Sequence, residues 1–369
     1  MSLSSEKIIT PLLKKSKTGE MITADEALSI LDVSSFSFSD VMDAAETLRK
    51  KYFSNYVQIH VINNIKNGHC QEDCGYCAQR NNAPESDIVK YYTKPEEEIM
   101  KEAEAAYKSG AFRYCLVTSG RGPGDKFIRQ YADLVKKIKT KFPLEVCLSA
   151  GLVTDPAHAA ILREAGLDRY NHNINSSESH YSEICSTHTF SDRLRTLENM
   201  SGNGISLCSG VIVGMGESDQ DIVDMAFRLK KLKAASIPVN FFIPVPGHDI
   251  KKMSQLDADK CLRILALFRI INPESEIRIA AGREFYLKER QSEGLRIANS
   301  LFVSGYLNVR GDDAYETLRM IKKAGFEIDT QYSEMPEMLN DGEENITMSQ
   351  AFGKIQIKDK KDLRPFETS

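Results

Sequence analysis

The sequence predicts an α/β protein folded as a (β/α)8 TIM-type barrel, with an N-terminal helical extension and a polar C-terminal tail. Two observations carry this expectation. After Phe53, short β-rich runs alternate with amphipathic helical segments, and the candidate strands number eight. Such alternation argues for parallel pairing, for which a doubly wound sheet is the competing arrangement.

In chain order, Thr23 and Glu26 have capping-box spacing ahead of an apolar run, and Ser39 is placed to cap a second helix through Leu48. Residues 1–52 therefore form the helical extension. The barrel, residues 53–329, takes as strands Val57 to Asn63, Arg113 to Thr118, Leu144 to Ser149, Asp168 to Asn173, Ser206 to Val213, Val239 to Ile243, Glu276 to Ala280 and Ser300 to Val303. Helices follow, for example Lys94 to Ser109, Asp219 to Ala234 and Leu256 to Ile271. Beyond Asp329 the periodicity fades, and the Glu- and Lys-rich tail 330–369 is expected to lie over the barrel or to be disordered.

The 369 residues carry 48 Lys+Arg against 52 Asp+Glu, a net charge of −4. That balance leaves no electrostatic footprint for nucleic acid. No apolar stretch approaches the roughly 20 residues that span a bilayer, and the N-terminus lacks a signal-peptide core, so a cytoplasmic, membrane-free protein is expected. In a reducing compartment the eight cysteines are not a disulfide framework.

Three of them, Cys70, Cys74 and Cys77, form a CxxxCxxC run just after the first strand. Zinc sites usually recruit four ligands from paired motifs, whereas three thiolates on a four-iron cluster leave one iron open. By itself the run reads equally as a ligand set or a chance cluster. Its place after strand one, at the end of the barrel where chemistry happens, favours the ligand set. Cys115, Cys147 and Cys208 lie in three different strands; singly each reads as a small buried residue, but together they can converge on a second metal cluster. Arg278 interrupts an apolar strand, where it pairs with a buried carboxylate or faces an anion such as a thiolate cluster. Cys185 and Cys261 read as core or surface residues.

Asn171, Asn173 and Asn175 recur at every second position, which places three amides on one face of strand four. Asparagine disfavours strands, so a polar ligand such as a urea or a ribose explains the face better than a turn does. On strand five, Gly210, Ile212, Gly214 and Glu217 give backbone access suited to a flat aromatic ring.

CxxxCxxC with Tyr76 before its last cysteine, the barrel, and the GxIxGxxE pattern from Gly210 to Glu217 resemble the radical S-adenosylmethionine enzymes. Cys115, Cys147, Cys208 and Arg278, with YNHN at Tyr170 to Asn173, SGRGP at Ser119 to Pro123 and THTFSDR at Thr187 to Arg193, resemble the biotin synthase family over roughly residues 20 to 327. The resemblance implies a 4Fe-4S cluster on Cys70, Cys74 and Cys77 whose open iron takes S-adenosylmethionine. It implies an auxiliary 2Fe-2S cluster, the sulfur donor, on Cys115, Cys147, Cys208 and Arg278. The substrate would be dethiobiotin, and the cofactor rather than any side chain would generate the radical, since no protein base can deprotonate an unactivated C–H bond. Asn173, Asn175, Arg193, Tyr76, Ile212 and Gly214 would then bind S-adenosylmethionine, Arg193 at its carboxylate and the last three around adenine. Asn171, Asn173 and Asn240 would hold the substrate. A flavodoxin or ferredoxin electron donor, the iron-sulfur assembly machinery and a homodimer are further implications.

Two positions depart from the family. Asn175 stands where Asp or Glu is usual, and Asn308-Val309-Arg310-Gly311 replaces a Thr-Thr-Pro stretch near the substrate carboxylate. Arg310 is expected to take over as carboxylate partner. The alternatives are a divergent paralogue acting on another substrate, and a non-enzymatic iron-sulfur or zinc-binding protein, which would leave the asparagine and glycine patterns unexplained.

Overall fold

The computed structural model describes residues 14–15, 18, 20, 22–81, 83, 87–332 and 355–367. Its strands are β1 (Tyr56–Lys66), β2 (Arg113–Thr118), β3 (Glu145–Ser149), β4 (Arg169–Asn171), β5 (Ser206–Cys208), β6 (Val211–Val213), β7 (Ser236–Phe241), β8 (Glu276–Ile279), β9 (Ser300–Phe302) and β10 (Glu327–Asp329). From β1 to β9 they pair parallel in chain order, and β9 returns to β1 with Gln58 opposite Ser300, which closes the ring. β5 and β6 are halves of one broken stave, both resting on β7, so the wall has the eight staves that the sequence predicts. β10 extends the foot of β1.

Several boundaries differ from those expected, and three of them have a local cause. β4 is short, ending at Asn171, because the chain turns to bring Asn175 to φ +65°. β7 begins at Ser236, three residues before the expected start, because Ser236 to Val239 pair in register with Glu276 to Ile279. The second helix is capped by Ser37, whose hydroxyl accepts from Asp40 N, and not by Ser39.

The extension comprises α1 (Ala24–Leu31), with its Thr23–Glu26 capping box in place, and α2 (Phe38–Phe53). Both pack on the helix Ala258–Ile271, which is buried from Cys261 to Ile271 because the barrel lies on one side and the extension on the other. Arg263 of that helix ties the layers by donating to the carbonyls of Ile30 (3.0 Å) and Phe36 (2.8 Å). Of the tail, residues 355–367 lie on the barrel: Ile357 bridges to Val309, and Arg364 pairs with Glu98 at 2.6 Å. No helix among the described residues is long and apolar enough to cross a membrane.

Candidate active site

The C-terminal ends of the staves open into a cavity of about 310 Å³ whose lining includes Cys70, Cys74, Cys77, Cys115, Cys147 and Arg278. Parallel strands of a barrel present alternate residues to the lumen, and register decides which ones meet. Cys115 stands opposite Cys147 in the β2–β3 pair, and Cys208 opposite Asn171 in the β4–β5 pair. All three thiols are buried and share one apolar cluster with Ala280 and Phe302, flanked by Ile62 and Tyr306.

Cys147 is hydrogen-bonded to both other thiols, and this pushes its own pKa up while drawing those of Cys115 and Cys208 down. Arg278 reaches the same place: Nη1 is 3.8 Å from the Cys208 sulfur, and Nη2 donates to Ser236 Oγ at 2.9 Å and to Glu276. Arg278 thus has a buried carboxylate on one side and thiols on the other. Glu276 also receives Arg113 (2.8 Å) and Ser300 Oγ (2.8 Å), with His60 Nε2 at 3.2 Å. Burial alone would raise the Glu276 pKa, but Arg113 and Arg278 outweigh it and hold the carboxyl well below the usual range.

At the mouth, Cys70, Cys74 and Cys77 occupy the loop after β1, where a turn closes by Cys77 N donating to Cys74 O at 3.0 Å. The residues fit the two implied groups. The mouth offers three thiols around one cavity edge. The floor offers three thiols and a guanidinium whose buried Nε has no protein partner, as expected if an anionic cluster belongs beside it.

The ligand-binding expectations are met unevenly. Tyr76, Asn171, Asn173, Asn175, Arg193, Ile212 and Asn240 all line the cavity. The three asparagines do so although only Asn171 is in a strand. Asn171 Nδ2 donates to Asn173 Oδ1 (3.1 Å) and lies 3.3 Å from the Cys208 sulfur, while Gly210 N donates to Asn173 Oδ1 (3.0 Å). Asn175 donates to Tyr76 Oη, which also accepts from Arg193 Nη2 at 3.2 Å. Arg193 is further anchored on Asn173 O (3.0 Å) and His188 Nε2 (2.9 Å). Asn240 bonds backbone at both amide ends, to Val211 O (2.9 Å) and from Ala281 N (3.1 Å), so it splices neighbouring staves.

Gly214 is outside the lining; its amide donates to Glu217 Oε1 at 2.6 Å, shaping the turn after β6. Arg310 is also outside. It pairs with Asp359 (2.9 Å) and Asp362 (2.7 Å) of the tail, and the lining is made by its neighbours Asn308 and Val309 instead. Two residues escape the sequence reading. Tyr306, packed on Phe302, lines the cavity beside the floor thiols but sits in a loop with no strand pattern to announce it. Cys185, read as unpartnered, has its sulfur 3.8 Å from that of Cys74.

Comparison with known proteins agrees with this geometry. The radical SAM superfamily model matches residues 64–229, and the Biotin and Thiamin Synthesis associated domain matches residues 238–327. The chain is 53% identical over 326 residues to the biotin synthase of Leptospira interrogans, covering 88% of this chain and 90% of that protein. It is 48% identical over 302 residues to the biotin synthase of Acaryochloris marina, covering 82% and 87%. In fold it is similar to the FeFe-hydrogenase maturase HydG from Carboxydothermus hydrogenoformans, with a TM-score of 0.74 at 18% identity over 89% of this chain and 80% of that one. With its two domain models and with biotin synthases at 53% and 48% identity over most of its length, the chain belongs to the biotin synthase family of radical SAM enzymes.

Proposed function

We propose that the chain inserts sulfur into dethiobiotin to form biotin, and the observation that carries this reading is the pair of thiol sets at the two ends of one cavity. When bound, a 4Fe-4S cluster with S-adenosylmethionine at Cys70, Cys74 and Cys77 supplies hydrogen abstraction from an unactivated carbon, and a 2Fe-2S cluster at Cys115, Cys147, Cys208 and Arg278 supplies the sulfur.

The chain's own residues hold the substrate between those ends. Asn171 uses its Nδ2 on Asn173 and Cys208, which leaves its oxygen to accept a ureido N–H. Asn173 uses its oxygen on Asn171 and Gly210, which leaves its Nδ2 to donate to the ureido carbonyl. One acceptor and one donor two residues apart match the edge of a urea. Arg193, fixed by Asn173 O and His188, presents a preorganised cation to the S-adenosylmethionine carboxylate. Tyr76 joins Asn175 to Arg193, so the nucleoside and carboxylate positions are tied through one hydroxyl. Apolar walls from Ile62, Phe302 and Tyr306 exclude water from the floor. A flavodoxin or ferredoxin electron donor and a homodimeric assembly belong to the same reading.

The test is anaerobic reconstitution with iron and sulfide, then addition of S-adenosylmethionine, reductant and dethiobiotin, with products identified by mass spectrometry. Biotin together with 5′-deoxyadenosine is expected. 5′-Deoxyadenosine without biotin would assign a different substrate, and neither product in a chain carrying zinc would overturn the reading. Cys147→Ala should lose the auxiliary-cluster absorption and keep that of the mouth cluster.

A further inference from the structure

The neighbour of Cys74 is Cys185, a thiol with no part in sulfur insertion. The two cysteines lie on segments laced in opposite directions. On one side Gly75 N donates to Ile184 O at 2.8 Å, and on the other the Asp73 carboxylate accepts from Ser186 N at 3.0 Å and Thr187 N at 3.2 Å. One step forward on the first segment is matched by one step back on the second, which makes Cys74 and Cys185 the directly opposed pair. The sulfurs are 3.8 Å apart, and the Cys185 thiol is further held by Asp73 Oδ1 (3.2 Å) and His188 Nδ1 (3.3 Å). Cys74 and His188 line the cavity, which gives small oxidants a path to the pair.

We propose that Cys74 and Cys185 form a reversible disulfide in the cluster-free chain, withholding one of the three mouth thiols from cluster assembly under oxidising conditions. The inference rests on the reading of Cys74 as a cluster ligand. The oxidant is hydrogen peroxide. The Cys185 sulfur attacks one peroxide oxygen and the O–O bond breaks; the second oxygen leaves as water with the Cys185 proton, giving a sulfenic acid. Cys74 then attacks that sulfur, the S–S bond forms, and the hydroxyl leaves as a second water with the Cys74 proton. The two thiols lose two electrons and the peroxide gains them. A dithiol reductant reverses the step by exchange.

The experiment treats full-length, reduced, cluster-free chain with hydrogen peroxide, blocks remaining thiols by alkylation, and maps peptides by mass spectrometry. A linked pair of peptides containing Cys74 and Cys185, lighter by two hydrogens, is expected. The oxidised chain should then take up about threefold less mouth-cluster iron and sulfide, recover with dithiothreitol, and lose this sensitivity in both Cys185→Ser and Cys185→Ala. Links from Cys74 to Cys70 or Cys77, sulfinic acid at Cys185 without a link, or equal sensitivity in the two variants would overturn the inference. Unoxidised Cys74→Ala separates the two ideas: full cluster uptake by it would refute the ligand reading while leaving the peptide map to judge the disulfide.

Discussion

Glu276 is the anion that two buried arginines share, so its removal leaves Arg113 and Arg278 facing each other's charge with less compensation. Breaking a buried pair by deleting one partner costs about 3–5 kcal/mol. Arg113 keeps Glu145 at 2.6 Å, which puts Glu276→Gln near the lower end of that range. Denaturant unfolding of the cluster-free chain should read about 3 kcal/mol lost, and a change under about 1 kcal/mol would show that the arginines relax toward other partners. The pKa of Glu276 is depressed in the folded chain, which sets the sign with pH. The stabilisation is complete above the ordinary glutamate value of 4.5 and fades as pH falls below it, so Glu276→Gln should flatten the acid side of the stability profile. At this scale the sequence is half legible. Arg278 stands out by interrupting an apolar run, and the need for a buried carboxylate follows from its charge. Glu276, two positions earlier and hence on the same strand face, was the readable partner; the thiol register across β2, β3 and β5 was not, because pairing offsets leave no local mark.

Strand four and the loop after β9 show what element-level reasoning captures and misses. Period-two asparagines correctly announced a polar wall, yet β4 stops at Asn171 and the last of the three reaches the cavity through a left-handed backbone at φ +65°, which asparagine tolerates better than most residues. The pattern was legible and its backbone cause was not. Arg310 is drawn away from the cavity: a guanidinium takes the nearest carboxylates, and the tail residues Asp359 and Asp362, about fifty positions away in sequence, supply two. Arg310→Ala should therefore leave dethiobiotin affinity unchanged while residues 355–367 become faster to cleave by protease and faster in amide exchange. Because the pairs are exposed and screened by solvent, the midpoint of global unfolding should not move measurably. A tenfold loss of affinity with the tail still docked would return Arg310 to the substrate.

For the whole molecule, ring closure is the property on which the site depends, since thiols on β2, β3 and β5 and the arginine on β8 meet only when β9 returns to β1. Alternating elements announced the barrel, because each βα unit writes its own periodicity; the break between β5 and β6 left no such trace. At that break Gly210 is irreplaceable on steric grounds: a Cβ there would lie 1.9 Å from Pro238 O. Gly210→Ala should push the broken stave off β7, costing about 3 kcal/mol or more in unfolding and lowering cluster occupancy on the floor; wild-type stability and iron content would refute the close approach. The gap also has a kinetic meaning. Gly210 N is bonded to the Asn173 side chain, and Gly210 O accepts from Asn175 N, so the missing rungs of the wall are supplied by residues that line the cavity. Occupancy of the cavity is thereby recorded in the deuterium uptake of two amides, Gly210 and Asn175, and binding can be timed in the resting protein with no turnover at all.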